Sequence, residues 1–550
     1  MSASSKKKLR REQEAGKMTE RQLSEQKEAK KLKNLTTLFV AVLAVIIVIA
    51  VVAGANQFIT GNGIREKNTV AMTIGDHEIS NAELNYYYMD YANSFVNQYG
   101  SYISMFGLDL TKPLNEQFVD EEAGITWADD FLATAKDSAV SIYAMADAAK
   151  AAGYSLPAEE EAEIDTQLES LNLYATMYGY GSEDQYLKAM YGNGASMKGD
   201  EAYVKLQALA SSYYNHYGES LEYTEDAIRA KEAENFNAYS SYSFNSYYLA
   251  ASKFLTGGTT AEDGTTTYSD EEKAASVAAA KEAADSILAQ EIGSVAAFDA
   301  AIAALSANAD TTAASTANTD TLYSSVNTSY AEWIADESRK EGDMGVFANE
   351  TTTTNEDGTE TTTVNGYYVV YYIGSTDNNF AMKDVRHILV SFEHDHTESE
   401  DHDHSAAAYT DAEKAAAKAT AEEILTSWKN GEATEEFFAA LANEKSADGD
   451  GTTGGLYENV YPGQMVDPFE DWCYDASRKT GDTGIVESTY GYHVMYFVGD
   501  SEQTYRDYMI ENELRSADVQ TWYNSIIEAN TLTDGETKYL NLDLVLSNGQ

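Results

Sequence analysis

The chain has 550 residues, with 90 Asp and Glu against 37 Lys and Arg, for a net charge of −53. That length exceeds what one hydrophobic core serves and calls for about three folded units at roughly 150 residues each. The acidity disfavours nucleic acid as a partner, and a lone cysteine, Cys473, excludes an intrachain disulfide and any Cys-x-x-Cys metal site.

Residues 1–34 carry eleven Lys and Arg against five Glu and read as a basic cytoplasmic tail. Residues 35–55 follow as 21 uncharged, mostly apolar positions, enough to span a bilayer as a helix. By the positive-inside rule the remainder lies outside the cell membrane, in a single-pass arrangement. Ala53-Gly54-Ala55 also has the small-x-small form of a signal-peptidase site, so a cleaved leader is the alternative to a retained anchor. Without the tail's eleven cations and five acids the exported part has a net charge of −59, which keeps it soluble and attracts basic unfolded chains.

After a linker, Val70-Ala-Met-Thr-Ile74 reads as a strand, Gly75-Asp76 as a turn and Ser80 as the N-cap of a helix. Residues 66–235 form a mostly helical domain, with breaks near Gly107, from Gly153 to Pro157, and in the glycine-rich stretch from Tyr178 to Gly199. Tyrosine is abundant, 40 in the chain, with clusters at Tyr86-Tyr87-Tyr88 and Tyr213-Tyr214. Such rings suit a surface that holds unfolded segments weakly. They equally suit a helical core whose hydroxyls reach solvent.

The second half repeats itself. Tyr268-Ser-Asp-Glu-Glu-Lys-Ala-Ala275 answers Tyr409-Thr-Asp-Ala-Glu-Lys-Ala-Ala416, and Glu337-Ser-Arg-Lys-Glu-Gly-Asp-Met-Gly345 answers Ala476-Ser-Arg-Lys-Thr-Gly-Asp-Thr-Gly484. Gly366-Tyr-Tyr-Val-Val-Tyr-Tyr-Ile-Gly374 answers Gly491-Tyr-His-Val-Met-Tyr-Phe-Val-Gly499, and Trp333 answers Trp472. Residues 236–378 and 379–503 are therefore two copies of one small α+β domain. Low-complexity inserts at 256–267 and 351–364 are expected to be exposed loops. Residues 504–550 add a helix and a final strand, with Leu540, Leu542, Leu544 and Leu546 along one face. The fold class is α+β and multidomain, led by a transmembrane helix.

In the second copy, Val385-Arg-His-Ile-Leu-Val390, Gly454-Gly-Leu456, Gly463-Gln-Met465, Phe469 and Gly491-Tyr-His493 occur in order. This set resembles the signature of parvulin-type peptidyl-prolyl isomerases. With the anchor and helical domain, the whole resembles the PrsA/SurA class of extracytoplasmic foldases, which implies a helical chaperone domain at 66–235 and a degenerate parvulin-like copy at 236–378. The resemblance implies catalytic roles for His387, His493 and Asp448, with the family's hydroxyl at Ser488 or Tyr490. It implies a proline-ring wall of Leu456, Met465 and Phe469. It also implies unfolded or nascent secreted chains with X–Pro bonds as partners, besides the bilayer, and no cofactor. In the first copy Tyr247 and Tyr368 are expected at the histidine positions, with the Gly-Gln-Met segment shortened between Leu322 and Tyr330, giving a folded but inactive repeat.

Two buried histidines on strands often do no more than satisfy one another; here the surrounding motifs favour chemistry. The acidic insert Glu393-His-Asp-His-Thr-Glu-Ser-Glu-Asp-His-Asp-His404 runs against a phosphoserine-proline preference. Its His394, His396, His402 and His404 are weak metal candidates, a flexible acidic loop being the plainer reading. Cys473 reads as a buried filler. A non-catalytic holdase remains the alternative to the isomerase, and a metal-binding surface protein is the third.

Overall fold

In this computed structural model the described residues are 3–8, 20–261, 264–308, 313–355, 358–393, 409–449 and 451–546. Residues 3–8 are helical, and a 42-residue helix spans Glu20–Gly61. Its stretch Ala41–Gly61 is the one segment among the described residues long and apolar enough to cross a membrane. The stretch runs past the expected limit at Ala55 because Asn56 and Gln57 are polar but uncharged, and Phe58 and Ile59 restore apolar character.

The chain then forms two units, Met1–Leu221 with Ala517–Gln550, and Glu222–Ser516. In the first, Val70–Ile74 pairs antiparallel with His77–Ser80 on one side and with Leu532–Asp534 on the other. The Ser80 hydroxyl accepts from the Glu83 amide and caps helix Asn81–Tyr99. Helices Trp127–Ala151, Ala158–Met177, Glu183–Tyr191 and Met197–Glu219 complete the helical part. Tyr86, Tyr87 and Tyr88 are all buried in its core. The packing reading of these rings therefore holds, with one correction. The hydroxyls of Tyr87 and Tyr88 do not reach solvent and have no hydrogen-bond partner among the described residues.

The final strand is also corrected. It lies at Leu532–Asp534, while residues 540–546 are irregular apart from a bridge between Pro113 and Val545. The leucines still find the core: Leu540 and Leu546 are buried, and Leu542 and Leu544 pack against the same cluster.

In the second unit each copy builds a four-stranded antiparallel sheet with its first strand beside its last. The orders are Thr316–Leu322, Ser241–Ala250, Glu360–Thr376, Met344–Thr354 in the first copy and Leu456–Val460, Ala381–Ser391, Gly491–Thr504, Thr483–Glu487 in the second. Capping boxes start equivalent helices, Ser269 with Glu272 for Asp270–Leu288 and Thr410 with Glu413 for Asp411–Asn430. The Thr-rich inserts are exposed as expected, but they are not irregular loops. Thr351 pairs with Thr363 and Thr352 with Thr362 in an extended hairpin, and Thr259–Thr260 pairs with Thr266–Thr267, since β-branched threonine favours the extended backbone.

Strand register corrects the first copy as well. His387 pairs with Met495, whose counterpart Val370 pairs with Ser246, so Ser246 and not Tyr247 stands at the first histidine position. Tyr247 points to the other face, where its hydroxyl donates to Asn308 Oδ1 at 2.9 Å. Tyr368 does occupy the second histidine position, paired with Tyr248 as His493 is with Leu389. Nor is the following segment shortened. Thr321 beside Tyr242 and Val460 beside Lys383 are equivalent, and each precedes its aromatic, Tyr330 or Phe469, by nine residues. The chemistry differs rather than the length, Ser324-Ser325-Val326 standing for Gly463-Gln-Met465.

Candidate active site

Alternation along the central strands puts Val385, His387, His493, Met495 and Phe497 on one face of the second sheet. That face is covered by helix Asp467–Cys473, which buries Phe469 and Cys473 against it. The opposite face carries Ile388, Val494 and Tyr496 beneath Asp411–Asn430 and Glu435–Lys445. Two close backbone approaches fix the geometry. Gly455, at φ +65°, lets its carbonyl accept from the His387 amide at 2.9 Å, and a Cβ there would overlap the His387 carbonyl oxygen. Gly491, at φ +147°, lies against the carbonyl of Val390 in the same way.

The side chains form a continuous relay. His387 Nε2 lies 2.9 Å from Asp448 Oδ2, the two Nδ1 atoms of His387 and His493 are 3.1 Å apart, and His493 Nε2 is 2.7 Å from Ser488 Oγ. His387, His493 and Ser488 are 3%, 5% and 9% exposed, whereas half-buried Asp448 forms the solvent end. Burial lowers the pKa of His387 against the pull of Asp448. Burial first, then the charge of His387, pushes His493 down to about 4.

With both imidazoles neutral, the hydrogens have one arrangement. Asp448 only accepts, so His387 carries its proton on Nε2 and accepts at Nδ1 from His493 Nδ1–H. His493 Nε2 then accepts from Ser488 O–H, and Ser488 Oγ accepts the Tyr490 amide at 3.1 Å. Every dipole points toward Asp448. The Asp448 loop is held by the sheet itself, since the Leu389 amide donates to Ser446 Oγ and the Ala447 amide donates to Leu389 O.

The structure thus brings together His387, Asp448, His493 and Ser488, with Phe469 edge-on to both imidazoles at 5.3 and 5.4 Å and Met465 packed in the same cluster. It does not bring in the side chain of Tyr490, which is 64% exposed and reaches Ser488 only through its amide. Nor does it bring in Leu456, which pairs with Arg386 and so shares the face turned away from His387.

Its neighbour Tyr457 takes that place. The ring lies 5.0 Å from His387 and its hydroxyl donates to Asp448 Oδ2 at 2.8 Å. Burial, with Asp448 beside it, pushes the phenol up to about 12. Strand alternation was the available signal for Tyr457, because Leu456 and Tyr457 must face opposite ways and only register decides which faces inward. Cys473 is a core residue whose thiol burial raises to about 12. His394, His396, His402 and His404 lie outside the described residues.

Residues 367–500 match the family described as the PPIC-type PPIASE domain, Rotamase_3. The segment is a parvulin-type domain. The match begins in the last strand of the first copy, ahead of the histidine-bearing sheet that starts at Ala381. Among curated proteins, Foldase protein PrsA 1 of Listeria innocua serovar 6a is 45% identical over 87 residues, 16% of this chain and 28% of that protein. Foldase protein PrsA 1 of Listeria monocytogenes serotype 4b is 38% identical over 133 residues, 24% of this chain and 40% of that protein. The chain therefore spans less than half the length of these curated relatives. A crystal structure of the peptidylprolyl isomerase PrsA from Bacillus cereus matches at 27% identity over 28% of this chain and 50% of that one, with a TM-score of 0.17.

Proposed function

We propose that this protein is a peptidyl-prolyl cis-trans isomerase and chaperone for secreted polypeptides, anchored by its N-terminal helix with the basic tail in the cytoplasm. The observation that carries the reading is the relay of buried Ser488, His493 and His387 ending at half-buried Asp448, beneath Phe469, Met465 and Tyr457, within a parvulin-type domain.

Rotation about an X–Pro bond faces a barrier of about 18–20 kcal/mol and needs no covalent intermediate. Twisting the amide breaks its resonance, so the carbonyl oxygen loses negative charge and the nitrogen becomes pyramidal. An anionic Asp448 beside that oxygen disfavours the planar amide more than the twisted one, which lowers the difference between them. The neutral imidazole pair holds Asp448 in place and keeps the pocket floor rigid and dry. Phe469, Met465 and Tyr457 grip the proline ring. No proton moves in the rotation, so the relay positions groups and does not transfer protons.

One observation favours a second, binding role. The first copy has Ser246 and Tyr368 where the histidines stand and Tyr330 in place of Phe469, with the Tyr330 and Tyr368 rings 5.4 Å apart. It keeps the sheet without the relay, which suits a client-binding or spacing domain.

The test is cis/trans exchange by NMR in an Ala-Pro peptide with the full chain in detergent. Wild type should speed exchange, and His387→Ala and His493→Ala should each slow it by about 10²-fold while remaining folded. Folded wild type with no effect on exchange would leave the holdase in place of the isomerase.

A further inference from the structure

The helical unit contains a cavity of about 690 Å³ lined from helices Asn81–Tyr99, Ala158–Met177, Glu183–Tyr191 and Met197–Glu219. Asp90, Glu160, Glu163 and Asp200 all line it, and no Lys or Arg does among the described residues. Two of these acids are satisfied. Asp90 accepts from the Tyr191 and Tyr203 hydroxyls at 2.9 and 2.7 Å, and Glu160 accepts from Ser212.

Asp200 is different. It is 6% exposed, lines the cavity, and its carboxylate has no hydrogen-bond or ion-pair partner among the described residues. Its place in the first turn of helix Met197–Glu219 offsets part of the charge. Burial, and then Asp90, still push it up to about 6. A buried carboxylate without a partner is costly, and a cation is the ligand that relieves the cost.

The cavity walls narrow the chemistry of that cation. Tyr174, Tyr186, Tyr191 and Tyr203 supply aromatic faces, the usual companions of carboxylates around a guanidinium or ammonium group. Tyr174 and Tyr186 also continue outward into an exposed apolar patch. Tyr178 stacks on Tyr186 at 6.0 Å, Tyr180 meets it at 5.7 Å, and Leu173 and Met177 are 66% and 61% exposed beside them. A small inorganic ion has no use for such a rim, whereas a peptide segment does.

We propose that this cavity receives the cationic side chain of an Arg or Lys in an unfolded polypeptide, while apolar residues flanking it lie on the Tyr174, Tyr178, Tyr180 and Tyr186 patch. The net charge of −59 beyond the membrane segment draws such chains in. This deepens the client-holding part of the proposed function and is independent of the isomerase site.

The experiment uses the full chain in detergent and a proline-free, unstructured peptide with one arginine flanked by leucine and phenylalanine. A second peptide carries citrulline, the neutral isostere, at that position. Wild type should bind the arginine peptide at least tenfold more tightly in fluorescence anisotropy. Asp200→Asn should reduce that preference to within about twofold, and Ala208→Trp, which fills the cavity, should do the same should Asp200→Asn not fold. Equal affinity of wild type for the two peptides overturns the proposal, as does a preference that survives in a folded Asp200→Asn protein. Because the peptides lack proline, a failed isomerase reading would show only in the exchange assay.

Discussion

Ser488 holds the buried end of the relay, where its hydroxyl has His493 Nε2 to donate to and the Tyr490 amide to accept from. Ser488→Ala removes the donor that selects the His493 tautomer. Exchange should slow by about tenfold, with a stability loss of about 1–3 kcal/mol from the unsatisfied nitrogen. The ¹⁵N shifts of His493 report the tautomer directly, and an unchanged spectrum would remove Ser488 from the relay. The histidines also set a pH dependence. His493 has a folded pKa near 4, below its unfolded value of about 6.5, so the unfolded state binds the extra proton between these limits. Stability therefore stays level above pH 6.5 and declines as pH falls from 6.5 to 4, by on the order of 3 kcal/mol from this residue. Urea titrations of wild type and His493→Gln across that range should differ in slope, the variant being the flatter.

At the scale of elements, the second residue of helix Tyr505–Ala529 ties that helix to the first repeat. Arg506 is 1% exposed, pairs with Glu232, donates to the Asp377 and Phe236 carbonyls at 2.8 and 2.6 Å, and stacks on the Phe236 ring at 3.7 Å. Arg506→Ala leaves the Asp377 and Phe236 carbonyls without their donor and Glu232 with Arg229 alone. Its cost should be about 1–3 kcal/mol, read as a lower urea midpoint for the 222–516 unit. Strands and helices were largely legible in the sequence, because capping residues such as Ser80 and Thr410 and the matched blocks of the repeat are local signals. Register was less so. Ser246 against Tyr247 and Tyr457 against Leu456 are one-residue choices, each of which moves a side chain to the other face. Long-range strand pairing decides them, and no local pattern encodes it. The Thr-rich hairpin was misread for a related reason, since low complexity hides an alternating backbone that pairs only with itself.

At the scale of the molecule, the unpartnered Asp200 could not be found from sequence, because it takes four helices to enclose the cavity. The helical unit is also discontinuous in sequence. Met72 pairs with Asp534, and Leu540 and Leu546 enter the same core as Tyr88 and Phe131. Ending the chain at residue 530 should therefore unfold the first unit while leaving the parvulin sheet intact. Hydrogen exchange should show Val70–Ile74 unprotected and Gly491–Thr504 still protected in that truncated chain; protection at both would mean the third strand is dispensable.

That discontinuity has a temporal consequence. On the proposed topology the chain crosses the membrane in order of synthesis, so the residues of the helical unit emerge first, yet its sheet waits for a strand about 460 positions later. Once folded, the 222–516 unit brings its own ends together, with Arg515 over the Tyr223 ring at 6.0 Å and Lys231 beside Glu513. A very long loop is thereby shortened to the width of a folded domain before the last strand arrives, which removes most of the entropy opposing closure. On the proposed topology, the part of the protein that reaches the exterior earliest would be the last to mature, and the parvulin-bearing part would be the scaffold for its completion.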